Sequence, residues 1–161
     1  MRTIQIICVG NLKEKYLRDA AAEYEKRLSA YCKLKIIEVP EYKLPEKPSA
    51  AEISRCIEME GLSIASKLGT GSIVVALCIE GEILSSESFS EKLSALMTDE
   101  SASDLSFVIG GSYGLSEDIK KKAKLKLSLS RMTFTHQISR VLILEQIYRA
   151  FQISTGGKYH K

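Results

Sequence analysis

The sequence predicts an α/β fold with a mainly parallel sheet flanked by helices. Three observations carry this expectation. Short apolar runs alternate with longer amphipathic stretches from one end of the chain to the other. The run Ser72–Gly81, "SIVVALCIEG", is apolar almost throughout, as a strand covered on both faces is. No repeat, low-complexity tract or composition shift breaks the alternation, so residues 1–161 are expected to form one domain.

The elements follow in order. "TIQIICVG" (3–10) reads as a buried strand closed by Gly10. Residues 13–31 place Tyr16, Ala20, Tyr24 and Leu28 at helical spacing with charges between them. "KLKIIEVP" (33–40) is a second strand, stopped by Pro40. A loop with Pro45 and Pro48 comes next, either a plain connection or a lid. Ser49 and Glu52 then form a capping box, opening a helix with Ile53, Ile57, Leu62 and Leu68 on one side. After the third strand, residues 85–97 form an amphipathic helix and "DLSFVIGG" (104–111) a fourth strand. A short helix starts near Ser116, its positive end met by Glu117 and Asp118. "KLSLS" (126–130) is a short fifth strand, and a last helix runs from His136 to Ile153.

With 45% hydrophobic and 27% charged residues, the composition is that of an ordinary globular domain. A chain of this size buries roughly 70% of its unfolded surface and needs no disulfide or metal staple. The formal net charge of +3 permits an anionic partner without requiring one. The last quarter is the exception: its basic residues from Lys120 to Lys161 are opposed by a single acid, Glu145. Cys8, Cys32, Cys56 and Cys78 stand far apart, with no C-x-x-C and no histidine at metal spacing. Cys8 and Cys78 fall inside apolar strand patterns, as small buried hydrophobes do, and a reduced, cytoplasmic setting is expected. The apolar run at 4–9 is too short for a signal sequence, and no stretch has the length of a membrane span.

Glycines mark the candidate site. Gly110-Gly111 and Gly114 follow the fourth strand with the spacing G-G-x-x-G, which fits neither a dinucleotide fingerprint nor a Walker loop. A flavodoxin-like nucleotide binder is disfavoured too, since no phosphate loop follows the first strand. Glycines at strand ends admit positive φ and close ligand approach, and ligands of open parallel sheets lie beyond the carboxyl ends of the strands. Three such ends stand out: "ALCIEGE", "VIGGSYG" and "LSLSRMTF". The link Ser130–His136 is too short for a crossover helix, so its backbone groups need other partners, as wrapping a nucleoside would provide.

On the last helix, Ile138, Val141, Leu142, Ile143, Leu144, Ile147, Phe151 and Ile153 lie on most sides. One sheet face is expected not to cover them all, which points to a second copy and a homodimer. Glu145 and Arg149 read as an i,i+4 ion pair. Arg140 calls for a buried or interfacial anion, and His136 is a candidate cap. The end "GGKYHK" reads as frayed, or as an arm whose Lys158, Tyr159 and His160 close over RNA.

The blocks "VGNLKEKYLRDAAAEYEKRLSAY", "FVIGGSYGLSEDI", "LSLSRMTFTHQ", "RVLILEQIYRAF" and the final "YHK" together resemble the RlmH family of SPOUT-class bacterial methyltransferases. The resemblance spans Arg2 to Lys161. It implies a SPOUT-type fold with a C-terminal trefoil knot, a homodimer, and S-adenosyl-L-methionine as cofactor. The implied reaction is methylation of a pseudouridine at N3 in 23S RNA of the large ribosomal subunit, and the expected partner is that RNA in the assembled ribosome. The implied cofactor residues are Leu77, Gly110, Leu129, Ser130, Arg131, Met132, Thr133 and Phe134. The imide proton must leave during attack, and His136, Glu145 and His160 are candidate bases. Arg140, Arg149, Lys158 and His160 are expected to anchor RNA phosphates, beside His136 and Tyr159 on the substrate side. Arg140 is therefore expected to matter for catalysis more than for cofactor affinity. Thr135 stands where the family usually has proline, which would loosen the cofactor loop. The rival reading is a non-catalytic ribosome-associated RNA-binding factor.

Overall fold

The computed structural model describes residues 1–161. Ten elements alternate: β1 (Thr3–Val9), α1 (Lys15–Leu28), β2 (Lys33–Val39), α2 (Ala50–Ala65), β3 (Ile73–Ile83), α3 (Ser86–Met97), β4 (Leu105–Ile109), α4 (Glu117–Lys122), β5 (Leu125–Ser128) and α5 (His136–Ser154). The strands form one sheet in the order β2-β1-β4-β3-β5, every pair parallel. All carboxyl ends therefore share one edge, and the tips of β4, β3 and β5 are neighbours there.

Side-chain alternation divides the core in two. Ile4, Ile6 and Cys8 of β1 point to one face with Phe107, where α1, α3 and α5 pack. Ile7 and Val9 point to the other with Val108, beneath α2 and α4 through Ile64 and Ile119. Each such side chain taken from water stabilises by roughly 1.5–3 kcal/mol. The helices start where the sequence sets them: Ser49, Ser85 and Ser116 accept from Glu52, Ser88 and Ile119 N–H, and Ser49–Glu52 close a full capping box.

Several expectations need correction. The inner side of α2 is Cys56, Glu60, Gly61 and Ile64, and Leu62 is exposed. Position 62 lies half a turn from the stripe, and a buried carboxyl broke the apolar signal that would have shown it. Cys78 is only half-buried, because β3 leaves its regular pairing after Leu77 and resumes at Glu82. α5 turns Arg140, Ile143, Leu144, Ile147 and Ala150 inward and lies between α1 and α3, which half-cover Val141, Tyr148 and Phe151. Much of its apolar girth is thus met within this chain.

Arg140 pins α5 to the sheet. Its Nη1 donates to Glu38 Oε2 at 2.9 Å and its Nη2 to the Gly10 carbonyl at 3.0 Å, with only 6% of the side chain exposed. Arg140→Ala should lower unfolding stability by about 1–3 kcal/mol, chiefly through the Gly10 carbonyl left without its donor, Glu38 being open to water. Urea unfolding of the two proteins measures it.

Candidate functional site

The bulge in β3 opens the site. Between Leu77 and Glu82 the strand swings out, and Gly81 lets it pass Leu127: a Cβ there would stand 2.7 Å from Leu127 main-chain atoms. Cys78, Ile79 and Glu80 are thereby turned into a cavity of about 870 Å³, within the roughly 300–1,000 Å³ usual for small-molecule sites. The tips of β3, β4 and β5 contribute Leu77, Gly110 and Leu129. The loop after β5 adds Ser130, Met132, Thr133 and Phe134, and the first turns of α1 and α5 add Tyr16 and His136. Seven of the eight expected cofactor residues thus line one space; Arg131, exposed on the same loop, does not.

The glycine turn works by closeness rather than by unusual φ. Only Gly114 has positive φ (+83°); at Gly110 the requirement is space, since a Cβ would lie 2.6 Å from Gly114 C. The loop after β5 holds itself: Ser128 Oγ donates to the Ser130 carbonyl, and Ser130 Oγ accepts from Met132 N–H.

Charge on the lining excludes a phosphate clamp. The one lysine, Lys120, is paired with Glu80 at 2.5 Å, and Glu14 adds a second carboxylate. That balance suits a cationic ligand and repels a pyrophosphate.

His136 is the titratable group that faces both cavity and sheet. Its Nε2 stands 3.7 Å from where a Gly10 Cβ would be, with Glu41 at the same distance. Burial holds its pKa below the usual 6.5, aided by Arg140 and Lys13 and opposed by Glu41. It does not cap α5. Thr135 does, its hydroxyl accepting from Ile138 N–H. Thr135 has φ −62°, the value proline imposes, so the loop keeps the geometry that the family's usual residue would give it. Thr135→Pro should change stability by less than about 1 kcal/mol, loss of the cap being offset by a stiffer unfolded chain; thermal denaturation checks this.

The remaining expected residues lie elsewhere. Arg140 opens on a separate, smaller cavity with Glu38 and Arg18, and its guanidinium is an internal clamp within this chain. Glu145 pairs with Arg149 at 2.7 Å and accepts from Tyr159 Oη. The C-terminal tail packs against α3 and α5 of this chain. The Tyr159 ring packs edge-on against Tyr148 and under the Arg149 guanidinium, while His160 bridges Arg149 and Glu87. Burial, with hydrogen bonds to Tyr24 and Glu145, pushes the Tyr159 phenol up to about 12. Lys158 is exposed, and none of these tail residues lines the large cavity. Of the site residues not named from the sequence, Glu80, Gly81 and Tyr113 fall inside the strand-end stretches singled out there, and Lys120 lies outside them; Gly81, a glycine inside a strand, carried a signal of the bulge.

A family model described as a predicted SPOUT methyltransferase matches residues 1–160. The chain belongs to the SPOUT methyltransferase family. It is 49% identical over 158 residues to the ribosomal RNA large subunit methyltransferase H of Streptococcus equi subsp. zooepidemicus, covering 98% of this chain and 99% of that one. Against the protein of the same name from Leuconostoc mesenteroides the identity is 47%, with the same coverage. A probable methylase family protein of Haemophilus influenzae shares the fold at TM-score 0.56 and 13% identity, over 98% of this chain and 70% of that chain. No helix of this SPOUT methyltransferase is long and apolar enough to cross a membrane.

Proposed function

We propose that this methyltransferase uses S-adenosyl-L-methionine to methylate N3 of a pseudouridine in large-subunit ribosomal RNA, acting in the cytoplasm as a homodimer. What carries the reading is the convergence of the β3, β4 and β5 tips on a cavity without a free cation, in a chain 49% identical to relatives named for ribosomal RNA methylation. Residues 1–161 act as one domain, and the knot implied by the RlmH resemblance has the segment from β5 through α5 as its threaded piece.

The donor, when bound, supplies a methyl group on a sulfonium centre. Leu77, Leu129 and Phe134 give apolar walls, Gly110 lets main chain approach the ligand, and the loop Ser130–Thr133 offers backbone groups. Glu14 and Glu80 favour positive charge. Alignment of nucleophile and methyl group is the main source of rate, an effect that reaches roughly 7–11 kcal/mol. The N3 proton goes to His136, the one candidate base on the cavity wall; Glu145 and His160 have their polar atoms engaged in the tail cluster. Tyr16, Tyr113, Met132, Phe134 and Ile138 line the cavity while exposed, an apolar rim for a second copy to cover. Pairing by a two-fold axis brings the basic tails, with Arg149, Lys158, Tyr159 and His160, near the shared surface as the RNA-facing side.

The test is methyl incorporation from labelled donor into free 23S RNA, large subunits and whole ribosomes, with mass mapping of the product. Label at one pseudouridine is expected. RNA binding without saturable donor binding or transfer would favour a non-catalytic ribosome-associated factor instead.

A further inference from the structure

Glu60 is the one acidic residue sealed inside the sheet-facing side of a helix, and its place is specific. It is 3% exposed, on the inner side of α2. Its Oε2 accepts from Tyr42 N–H at 3.0 Å, while its Oε1 is buried without a partner. That free oxygen presses on the glycine turn: a Cβ on Gly111 would lie 2.8 Å from it, and 3.2 Å from Val9 Cγ1. The next residue of α2, Gly61, touches the far end of the same turn, where a Cβ would meet Ser116 Oγ at 2.5 Å. α2 therefore supports both ends of the segment 110–116, and neither Glu60 nor Gly61 lines the cavity.

A residue needed only for packing here would be apolar, because a buried oxygen without a partner costs free energy. Burial holds the carboxyl above the ordinary glutamate range, Glu41 adding to the effect and the Tyr42 N–H and Cys56 opposing it. The titratable neighbours are Glu41 from the loop and Cys56 one turn earlier on α2; Gly111 and Val9, on the other side, carry no charge. Glu41 also faces His136. Residues 41 and 42 thus bridge the cavity's histidine and the support of its glycine turn.

We infer that Glu60 is a positioning residue for the methyl-donor site, wedged behind Gly110–Gly111 so that the turn and the loop 40–49 are held in one mutual arrangement. The inference rests on the cavity being the donor site. It places no substrate contact on Glu60, which acts only through Gly111 and Tyr42.

The experiment measures donor affinity by calorimetry and KM and kcat by methyl transfer, for the wild type, Glu60→Ala, Glu60→Gln, Gly111→Ala and the double variant E60A/G111A. Glu60→Ala should raise Kd and KM for S-adenosylmethionine about tenfold, with kcat at saturating donor within about twofold. Gly111→Ala should also weaken donor binding by tenfold or more, but about fivefold less in the E60A background, where the oxygen it collides with is gone. Glu60→Gln keeps the shape and the acceptor for Tyr42, and should match the wild type wherever Glu60 is protonated. On raising the pH the wild type should lose affinity as Glu60 ionises, at a pH above the ordinary glutamate range, while Glu60→Gln loses at least threefold less; this comparison decides the matter if Glu60→Ala does not fold. Strictly additive effects, or equal pH slopes for wild type and Glu60→Gln, overturn the inference alone. No saturable binding by the wild type overturns the donor-site reading and this inference with it.

Discussion

Replacing Gly110 by alanine should weaken S-adenosylmethionine binding by about 100-fold or more, close to 2.7 kcal/mol. The added methyl would sit 2.6 Å from Gly114 C, 2.7 Å from its oxygen and 2.9 Å from Leu115 N. All three are main-chain atoms, so no side chain can rotate out of the way. Gly110 follows the last residue of β4 directly, and Gly114 N–H donates to the Gly111 carbonyl across the turn. Relief must come from opening that turn, which forms part of the cavity wall. Overpacking of this kind costs about 1–3 kcal/mol even where neighbours yield, and here the yielding part is the site itself. Gly114→Ala provides the contrast. Gly114 has φ +83° and nothing within 4 Å of a Cβ, so its substitution strains one residue by roughly 1–2 kcal/mol and creates no collision. Calorimetric titration of both variants, with thermal melts alongside, should rank G110A far below G114A. Binding by G110A within about threefold of the wild type would remove the turn from the donor site.

The comparison of these two glycines shows where sequence reading stops. The G-G-x-x-G spacing after an apolar strand was enough to mark a ligand turn, but not to say that Gly110 is required by proximity and Gly114 by φ. Proximity depends on where a chain folds back in space. The ten elements were legible because apolar alternation and serine caps act over a few residues; the order β2-β1-β4-β3-β5 was not, because parallel pairing joins segments as distant as Ile4 and Leu105. Locally coded ion pairs such as Glu145–Arg149 could be read from spacing alone. The clamp of Arg140 on Glu38 spans 102 positions and could not. The contacts the tail makes within this chain were illegible for a similar reason. Its partners, Glu87 and Tyr148, lie on α3 and α5, and only the packing of those helices brings them within reach of Tyr159 and His160. Glu60 was missed because charge in a helix ordinarily signals solvent.

His136→Ala and His136→Gln should each lower kcat by about 10²–10⁴-fold, the usual contribution of a general base, while leaving donor Kd within about threefold. Attack by an imide nitrogen requires loss of its proton, and a base is useful only if it is unprotonated at working pH. His136 meets that condition because desolvation at the start of α5 disfavours its charged form, with Arg140 and Lys13 adding like-charge repulsion. Its folded pKa lies below the usual 6.5, so kcat should rise through a limb placed below that value and be level by pH 7. Both variants should lack the limb, glutamine included, since it offers hydrogen bonds of similar reach but cannot take the proton. The same shift has a consequence for the fold. A histidine kept neutral in the native state withdraws stability as pH falls from about 6.5 through its lower folded value. Unfolding must therefore be followed across the same range, so that loss of the base is separated from loss of the protein. An intact acid limb in His136→Gln would pass the proton to another group. The first to examine would be Glu145 or His160, by adding the corresponding substitution to the His136 variant and reading the limb again.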